Sequence, residues 1–378
     1  MGIAFEGDLG NRIDALLAIG MLNGFSAKTE ARRIALAIPR ASLKAAQITE
    51  VVTAFYSPRA IAGPGGGGVG GNPEGVIGMP EGASFATDAP TLAPLLLKTT
   101  PEGTPAYTSP LARVLDTADN AVLFRNQLLA QFDQNATIVL AAPATGLVRL
   151  MSLYGAGPQI TAKVKRTVVT LGTYPNGGPE NTIKGDVAAA RRFFADWPGP
   201  IVAVGSEVGE ALPYPGATIE EDFAWAPAHP VADAYRLGKT MPYDAPVPAL
   251  AAMLYAVHPD DGYFKVSEPG TITVLEDGRT TFTASATGKH RYLIVDPEQK
   301  DRVIKIYREM ASSKPAPRAG RGGRGAANQN QNQNQQQQQQ NQQNQPPQNR
   351  PQNRPQQNQP QNQPPEADAP AEAKPPTP

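Results

Sequence analysis

Apolar and polar positions follow two rhythms along this chain. Apolar runs of strand length occur at IAFEGD (3–8), RRIALAIP (32–39), ATIVLAAP (136–143), RTVVTLGTY (166–174), PIVAVGSE (200–207) and HRYLIVD (290–296). Runs this short and this continuous fit strands covered on both faces. Between them the period lengthens. Ile13, Leu16, Leu17 and Met21 recur at helical spacing over 13–24, and SLKAAQITEVVTAFY (42–56) forms a second helix capped by Ser42. Further helices are predicted over 117–132, 146–154, 186–197 with Asp186 as cap, 231–238 and 249–257. GTITVLEDGRTTFTA (270–284) reads as a hairpin turning at Glu276-Asp277-Gly278, and residues 297–311 close the pattern with a helix entered through Pro297. Strands alternating with helices predict an α/β domain over 1–311, with a mostly parallel central sheet flanked by helices on both faces.

Two regions break this pattern. Residues 57–90 are so rich in glycine and proline that they read as a long surface loop, within a loop region reaching to about residue 110. From Ser312 to Pro378 there is no Val, Ile, Leu, Met, Phe, Trp or Tyr, and the composition turns to Gln, Asn and Pro. Such a tail cannot bury enough apolar surface to offset its ordering entropy, so 312–378 is expected to be disordered. Its RAGRGGRG segment reads as a solvated linker rather than an RNA-binding arm, because it lacks aromatic residues. Prolines interrupting the Gln/Asn tract oppose a continuous zipper.

Composition narrows the function classes. The 378 residues carry 34 basic and 34 acidic side chains, so no global field argues for nucleic acid or an anionic membrane. No cysteine is present, which removes disulfides and thiolate metal sites and leaves the redox compartment open. No apolar run reaches membrane-spanning length, and no basic and apolar leader pattern marks the N-terminus. The compartment stays open between cytoplasmic and, if a leader was removed, exported. His229, His258 and His290 show no metal-ligand spacing, and GPGGGGVGG lacks the Lys-Ser/Thr end of a phosphate-binding loop.

The chemistry is concentrated in EGDLGNRIDALLAIGML (6–22). Asp8 ends the first strand and Asp14 lies in the first turn of the next helix, so both fall at the carboxyl edge of a parallel sheet, where ligands bind. The plain reading is a helix-dipole acid for Asp14 and an Asp8–Asn11 turn.

This stretch resembles the N-terminal signature D-T-D-M-G-N-D-I-D-D-A-L-A-L-A-M-L of the inosine-uridine-preferring nucleoside hydrolases. Three further stretches resemble the same family in the same order: TIVLAAPATGLVRLM (137–151), LGTYPNGGPENTIKGDVAAARRFFADWPGPIVAVGSEVGEAL (171–212) and YDAPVPALAAMLYAVHPDDGYFKVSEPGTITVLEDGRTTF (243–282). The resemblance covers nearly all of 3–310. It implies the nucleoside hydrolase fold and hydrolysis of the N-glycosidic bond of ribonucleosides. It also implies a calcium ion that binds ribose and a water, which a carboxylate deprotonates. Carried over by position, Asp8 is the calcium ligand and catalytic base, and Thr145 is the residue whose carbonyl binds calcium. Asp14, Asn11, Glu180 and Asn181 are the ribose-binding set.

The same alignment shows departures. Ala15 and Ala249 stand where two carboxylate ligands of calcium are expected, Glu6 replaces an Asp, Arg12 an acid, Gly146 an Asn and Thr182 an Asn. Substitute ligands would come from Glu6, Asp244 or Glu180. Two functions follow for the domain: a nucleoside hydrolase with an eroded calcium site, or a non-catalytic ligand- or protein-binding member of the fold; a third alternative puts the function in the tail, as an RNA-contacting or adhesive segment. The small-molecule partner is a nucleoside or another ribosyl compound, and a homo-oligomer is compatible with both.

Overall fold

The computed structural model describes residues 1–56, 76–80, 89–175 and 177–315. The expected disorder of the tail and most of the glycine-rich loop therefore lie outside the described residues. Strands β1 (Gly2–Gly7), β2 (Arg32–Ala37), β3 (Ile77–Met79), β4 (Ala118–Asp119), β5 (Ala136–Ala141), β6 (Val164–Val169), β7 (Ile201–Ala203) and β11 (His290–Val295) form one parallel array. They lie in the order β4-β3-β2-β1-β5-β6-β7-β11. Short antiparallel strands extend it beyond β11: β9 (Gly270–Val274) pairs with β10 (Thr280–Ala284), and β8 (Phe264–Val266) pairs with β11. The expected α/β class with a mostly parallel, doubly covered sheet is the observed one.

β1 and β5 are buried at every residue, Glu6 and Thr137 included, as strands covered on both faces are. Strand pleating sorts β1 between two cores. Ile3 and Phe5 pack under α1 (Ile13–Ala27), α2 (Leu43–Tyr56), α10 (Pro230–Gly238), α11 (Pro248–Val257) and α12 (Lys300–Ala311). Ala4 faces the opposite layer, built from α3 (Asn120–Leu129), α4 (Thr145–Ser152), α5 (Ala156–Lys163) and α7 (Val187–Asp196). Helix α1 is buried on nearly every side. A Cβ on Gly20 or Gly24 would fall 2.5 Å from the carbonyl oxygen of Ala311 or Met310, so these glycines admit the last turn of α12.

Several boundaries differ from the sequence expectation. The segment expected as a helix over 117–132 begins as β4, and the helix itself starts at Asn120, where Asp119 Oδ1 accepts the Val122 amide at 2.9 Å. β3 is a fully buried strand inside the stretch read as a surface loop, and Leu92, Leu95 and Tyr107 beyond it are also buried. β6 ends at Val169 rather than Tyr174. β7 ends at Ala203, and α8 (Ser206–Ala211) takes up the rest of the expected strand. α5, which follows Gly155 and contains Pro158, carries no strong periodic signal. Trp225 Nε1 donates to the Ser312 carbonyl at 2.9 Å, so the ordered chain runs past residue 311.

Among the described residues no helix is long and apolar enough to cross a membrane.

Candidate functional site

Strand order reverses direction at β1: β2, β3 and β4 lie on one side, and β5, β6, β7 and β11 on the other. The carboxyl ends of β1 and β5 therefore flank the crevice where an open α/β sheet binds ligands. Asp8 sits there. Its amide donates to the Ala141 carbonyl at 3.2 Å, and its own carbonyl accepts the Asn11 and Arg12 amides at 3.1 and 2.9 Å, which closes the turn into α1. Asp8 Oδ1 accepts Asn11 Nδ2 at 2.7 Å, and Asn11 Oδ1 accepts the Thr91 amide at 2.9 Å. Asp8 and Asn11 share a pocket of about 270 Å³ with Arg40, Ser42 and Pro90.

Asp14 is 3% exposed. Arg12 clasps it in a two-bond fork, Nε to Oδ1 at 2.9 Å and Nη2 to Oδ2 at 2.7 Å, while the Ala249 amide donates to Oδ2 at 3.3 Å. Arg12 Nη1 reaches Thr182 Oγ1 at 3.1 Å. The charge of Asp14, with smaller contributions from Glu180 and Asp8, raises the Arg12 guanidinium above its ordinary range. Planar fork-to-carboxylate pairing is the strong geometry for such a bond. Ala15, next to Asp14 in sequence, and Ala249, whose amide meets Asp14 in space, are both 0% exposed and end in methyl groups.

Glu6 follows Ala4 onto the α3–α4 face and is 1% exposed. Its carboxylate fills the space above Gly146: a Cβ there would lie 2.3 Å from both Glu6 oxygens. Asn120 Nδ2 donates to Glu6 Oε1 at 3.4 Å. Burial dominates and pushes the Glu6 carboxyl up to about 8, against the lowering effects of Asn120 and Arg149. Two substitutions seen in the sequence are thus one packing event: the longer Glu6 occupies the volume that a side chain at 146 would need.

The other sequence candidates disperse. Thr145 Oγ1 donates to Asp186 Oδ2 at 2.7 Å, and Asp186 Oδ1 caps α7 through the Ala189 amide. Both oxygens of Glu180 accept backbone amides, from Thr182 at 2.7 Å and Ile183 at 3.0 Å, at the start of α6 (Asn181–Lys184). Asn181 is exposed; it is Thr182, not Asn181, that contacts Arg12. Asp244 is exposed and binds the Gly216 amide at 2.9 Å. The histidines occupy three separate places. His229 caps α10 among Phe55, Phe223 and Trp225, and burial pulls it down to about 3. His258 lies between Glu30 and Asp261, and His290 Nδ1 accepts the Ile272 amide at 2.9 Å.

The donor set does not fit calcium. That ion takes about six to eight converging oxygens, several of them charged. Two expected carboxylates are buried methyl groups, a third acid is held by a guanidinium, and Glu6 is spent above Gly146. Among the described residues no three His, Cys, Asp or Glu side chains form a group able to hold a metal ion.

A second pocket, of about 140 Å³, opens over the ends of β6 and β7, lined by Arg12, Thr170, Glu180, Ser206, Glu210 and Pro248 among others. It shares no lining residue with the Asp8 pocket. Thr170, Ser206 and Glu210 were not singled out in the sequence: Thr170 and Ser206 fall in RTVVTLGTY and PIVAVGSE, which read there as strands, and Glu210 lies just past the second. Thr170 is 4% exposed, and its hydroxyl finds no hydrogen-bond partner among the described residues.

No protein-family profile matches the chain, and no curated protein matches it. Solved structures do. A plant nucleoside hydrolase superposes with a TM-score of 0.60 at 18% identity, covering 82% of this chain and 99% of the other. An inosine-uridine-preferring nucleoside hydrolase from Bacillus anthracis gives 0.56 at 16%, covering 82% and 99%. A type III effector protein complexed with adenosine diphosphate ribose gives 0.50 at 13%, covering 82% and 92%. The fold of this chain is the nucleoside hydrolase fold.

Proposed function

We propose that this chain is a ribosyl-binding protein on the nucleoside hydrolase fold that has lost calcium-dependent N-glycosidic hydrolysis. One observation carries the reading. Arg12 forks onto Asp14 beside the buried methyl groups of Ala15 and Ala249, so an internal guanidinium supplies the positive charge where carboxylates would gather a metal. Neighbours of the same fold support the ligand class: two are named nucleoside hydrolases, and one was solved with adenosine diphosphate ribose. The resemblance in sequence supports reading this chain as a divergent relative of the inosine-uridine-preferring enzymes. The residues left to meet a ribosyl group are polar and anchored: Arg12 by Asp14, Glu180 by two amides, Asp8 by Asn11.

The test is release of free ribose from inosine and uridine with and without calcium, alongside calorimetry of ribose binding with and without a chelator. The expected result is no release above background and ribose binding that ignores the chelator. Calcium-dependent release that disappears in Asp8→Asn would overturn the reading. It would favour a second one, hydrolysis with Asp8 as base, whose single support is the rigid placement of Asp8 at the end of the fully buried β1.

A further inference from the structure

A groove of about 500 Å³ opens at the amino ends of β7 and β11, the opposite end of the sheet from Asp8. Arg191 and Phe194 of α7, the Trp197 that follows it, Ile272 of β9, and Lys289 and His290 at the start of β11 line it. It shares no lining residue with the pockets at Asp8 and Arg12. His290 is 7% exposed and is fixed from two directions. Its Nδ1 accepts the Ile272 amide at 2.9 Å, and Phe194 meets the ring at a steep angle, the centroids 5.7 Å apart. A neutral ring that accepts at Nδ1 carries its proton on Nε2. That Nε2–H has no partner among the described residues and is not sealed from solvent. The space it opens to is the groove that His290 lines.

The charge of this groove is one-sided. Among its described lining residues there is no Asp or Glu. Arg191 reaches Glu276 at 3.6 Å, in a pair exposed on both sides and therefore weak. Lys289 makes no ion pair among the described residues. Its charge acts on the neighbouring ring: burial first, and the Lys289 ammonium second, hold the His290 imidazole below its ordinary range. No carboxylate acts on the ring to offset that repulsion. The rest of the wall is apolar, since Trp197 spends its indole N–H on Thr167 at 3.0 Å and offers only its ring beside Phe194 and Ile272.

We infer that this groove binds a small carboxylate carrying an apolar ring, the acid meeting the Lys289 ammonium and the His290 Nε2–H, the ring lying against Phe194, Trp197 and Ile272. The site is separate from the ribosyl-binding reading and stands or falls without it. Three features select this class. A free ammonium beside a neutral N–H donor suits a singly charged oxyanion. A cation of the same shape would meet two like charges and no acid. The volume falls within the ~300–1,000 Å³ of small-molecule sites, which set a few polar groups in an apolar wall.

The experiment is calorimetry on the full chain with 3-phenylpropionate, 3-phenylpropylamine and propionate. Phenylpropionate is expected to bind about tenfold tighter than either of the others, since the amine reverses the charge and propionate lacks the ring. Lys289→Gln, at an exposed position, should remove about tenfold of that affinity and leave the amine unchanged. His290→Asn keeps an oxygen for the Ile272 amide and withdraws the Nε2–H, so it should weaken phenylpropionate and not the amine. Equal binding of acid and amine, propionate as tight as phenylpropionate, no saturable binding of phenylpropionate, or an affinity indifferent to Lys289→Gln would overturn the inference. Competition by ribose would also overturn it, because the anion would then sit in the ribosyl site.

Discussion

Two acids are buried at the same sheet edge, and the molecule neutralises them by different means. Glu6 lies in a space that Gly146 vacates, with one long hydrogen bond from Asn120, and keeps its proton up to about 8. Asp14 is met by a forked guanidinium and a backbone amide. A proton is the cheap counter-ion where geometry offers no cation. A guanidinium two residues away in the chain is available at the first turn of α1 and not on β1. The difference teaches that an acid at a ligand-binding edge is not by itself a metal ligand: its partner decides what it can bind. Here one partner is a proton and the other a guanidinium of the chain, and neither leaves a charged carboxylate free for a metal.

The comparison can be broken by pH, with the largest expected effect. Glu6 goes from 4.5 in the open chain to about 8 when folded. Its folded pKa is raised, so its contribution to stability is fully present below 4.5 and is lost as pH rises through about 8. Between pH 5 and 8 stability should fall by about 3 kcal/mol, at no more than about 1.4 kcal/mol per unit. Urea titrations across that range should show the slope, and Glu6→Gln should flatten it. A slope that persists in Glu6→Gln would assign it to other groups. The second effect belongs to the other acid. Arg12→Ala leaves Asp14 buried without its cation, and breaking a buried pair costs about 3–5 kcal/mol. The Arg12 side chain is 28% exposed, so the expected loss is nearer about 2–3 kcal/mol. Adding Asp14→Asn should restore part of it, since an amide oxygen still accepts from Ala249. No recovery in the double variant would mean that Arg12 acts by packing rather than by charge.

Much of this was legible in the sequence, for a physical reason. The apolar runs of β1 and β5 and the periodicity of α1 report burial directly, and the carboxyl-edge placement of Asp8 and Asp14 follows from strand-helix order. Arg12 was visible as a misplaced charge, but its direction depends on a rotamer that only packing sets. The Glu6–Gly146 exchange was legible only as two separate departures. It becomes one event when β1 pleating and the docking of α4 bring residues 140 positions apart into one volume. β3 was missed because three residues between glycine-rich stretches carry no period. Thr170 was missed because a threonine inside a strand run resembles any other strand residue, and that its hydroxyl has no partner among the described residues is a property of the folded chain.

Two smaller effects sharpen the comparison. Gly146→Asn forces a Cβ to within 2.3 Å of the Glu6 carboxylate, and overpacking of this kind costs about 1–3 kcal/mol. Pairing it with Glu6→Asp, which withdraws the carboxylate by one methylene, should recover most of the loss. A double-variant cycle with coupling below about 0.5 kcal/mol would show the two positions to be independent.

The smallest effect is expected at Asp8, the third acid of the edge. It is not fully buried, and among the described residues it pairs with no cation and its one side-chain bond comes from Asn11 Nδ2 at 2.7 Å. Asp8→Asn keeps an oxygen to accept that bond and leaves the backbone turn intact, because the Asn11 and Arg12 amides bind the Asp8 carbonyl rather than its side chain. Stability should therefore change by no more than about 0.5 kcal/mol, the range of substitutions away from buried networks. The measurement is the same urea titration at pH 7, beside Arg12→Ala. A loss at Asp8 approaching that of Arg12→Ala would mean that the Asp8 charge is held by an unseen partner. The contrast between acids neutralised by the chain and an acid left open at the edge would then collapse.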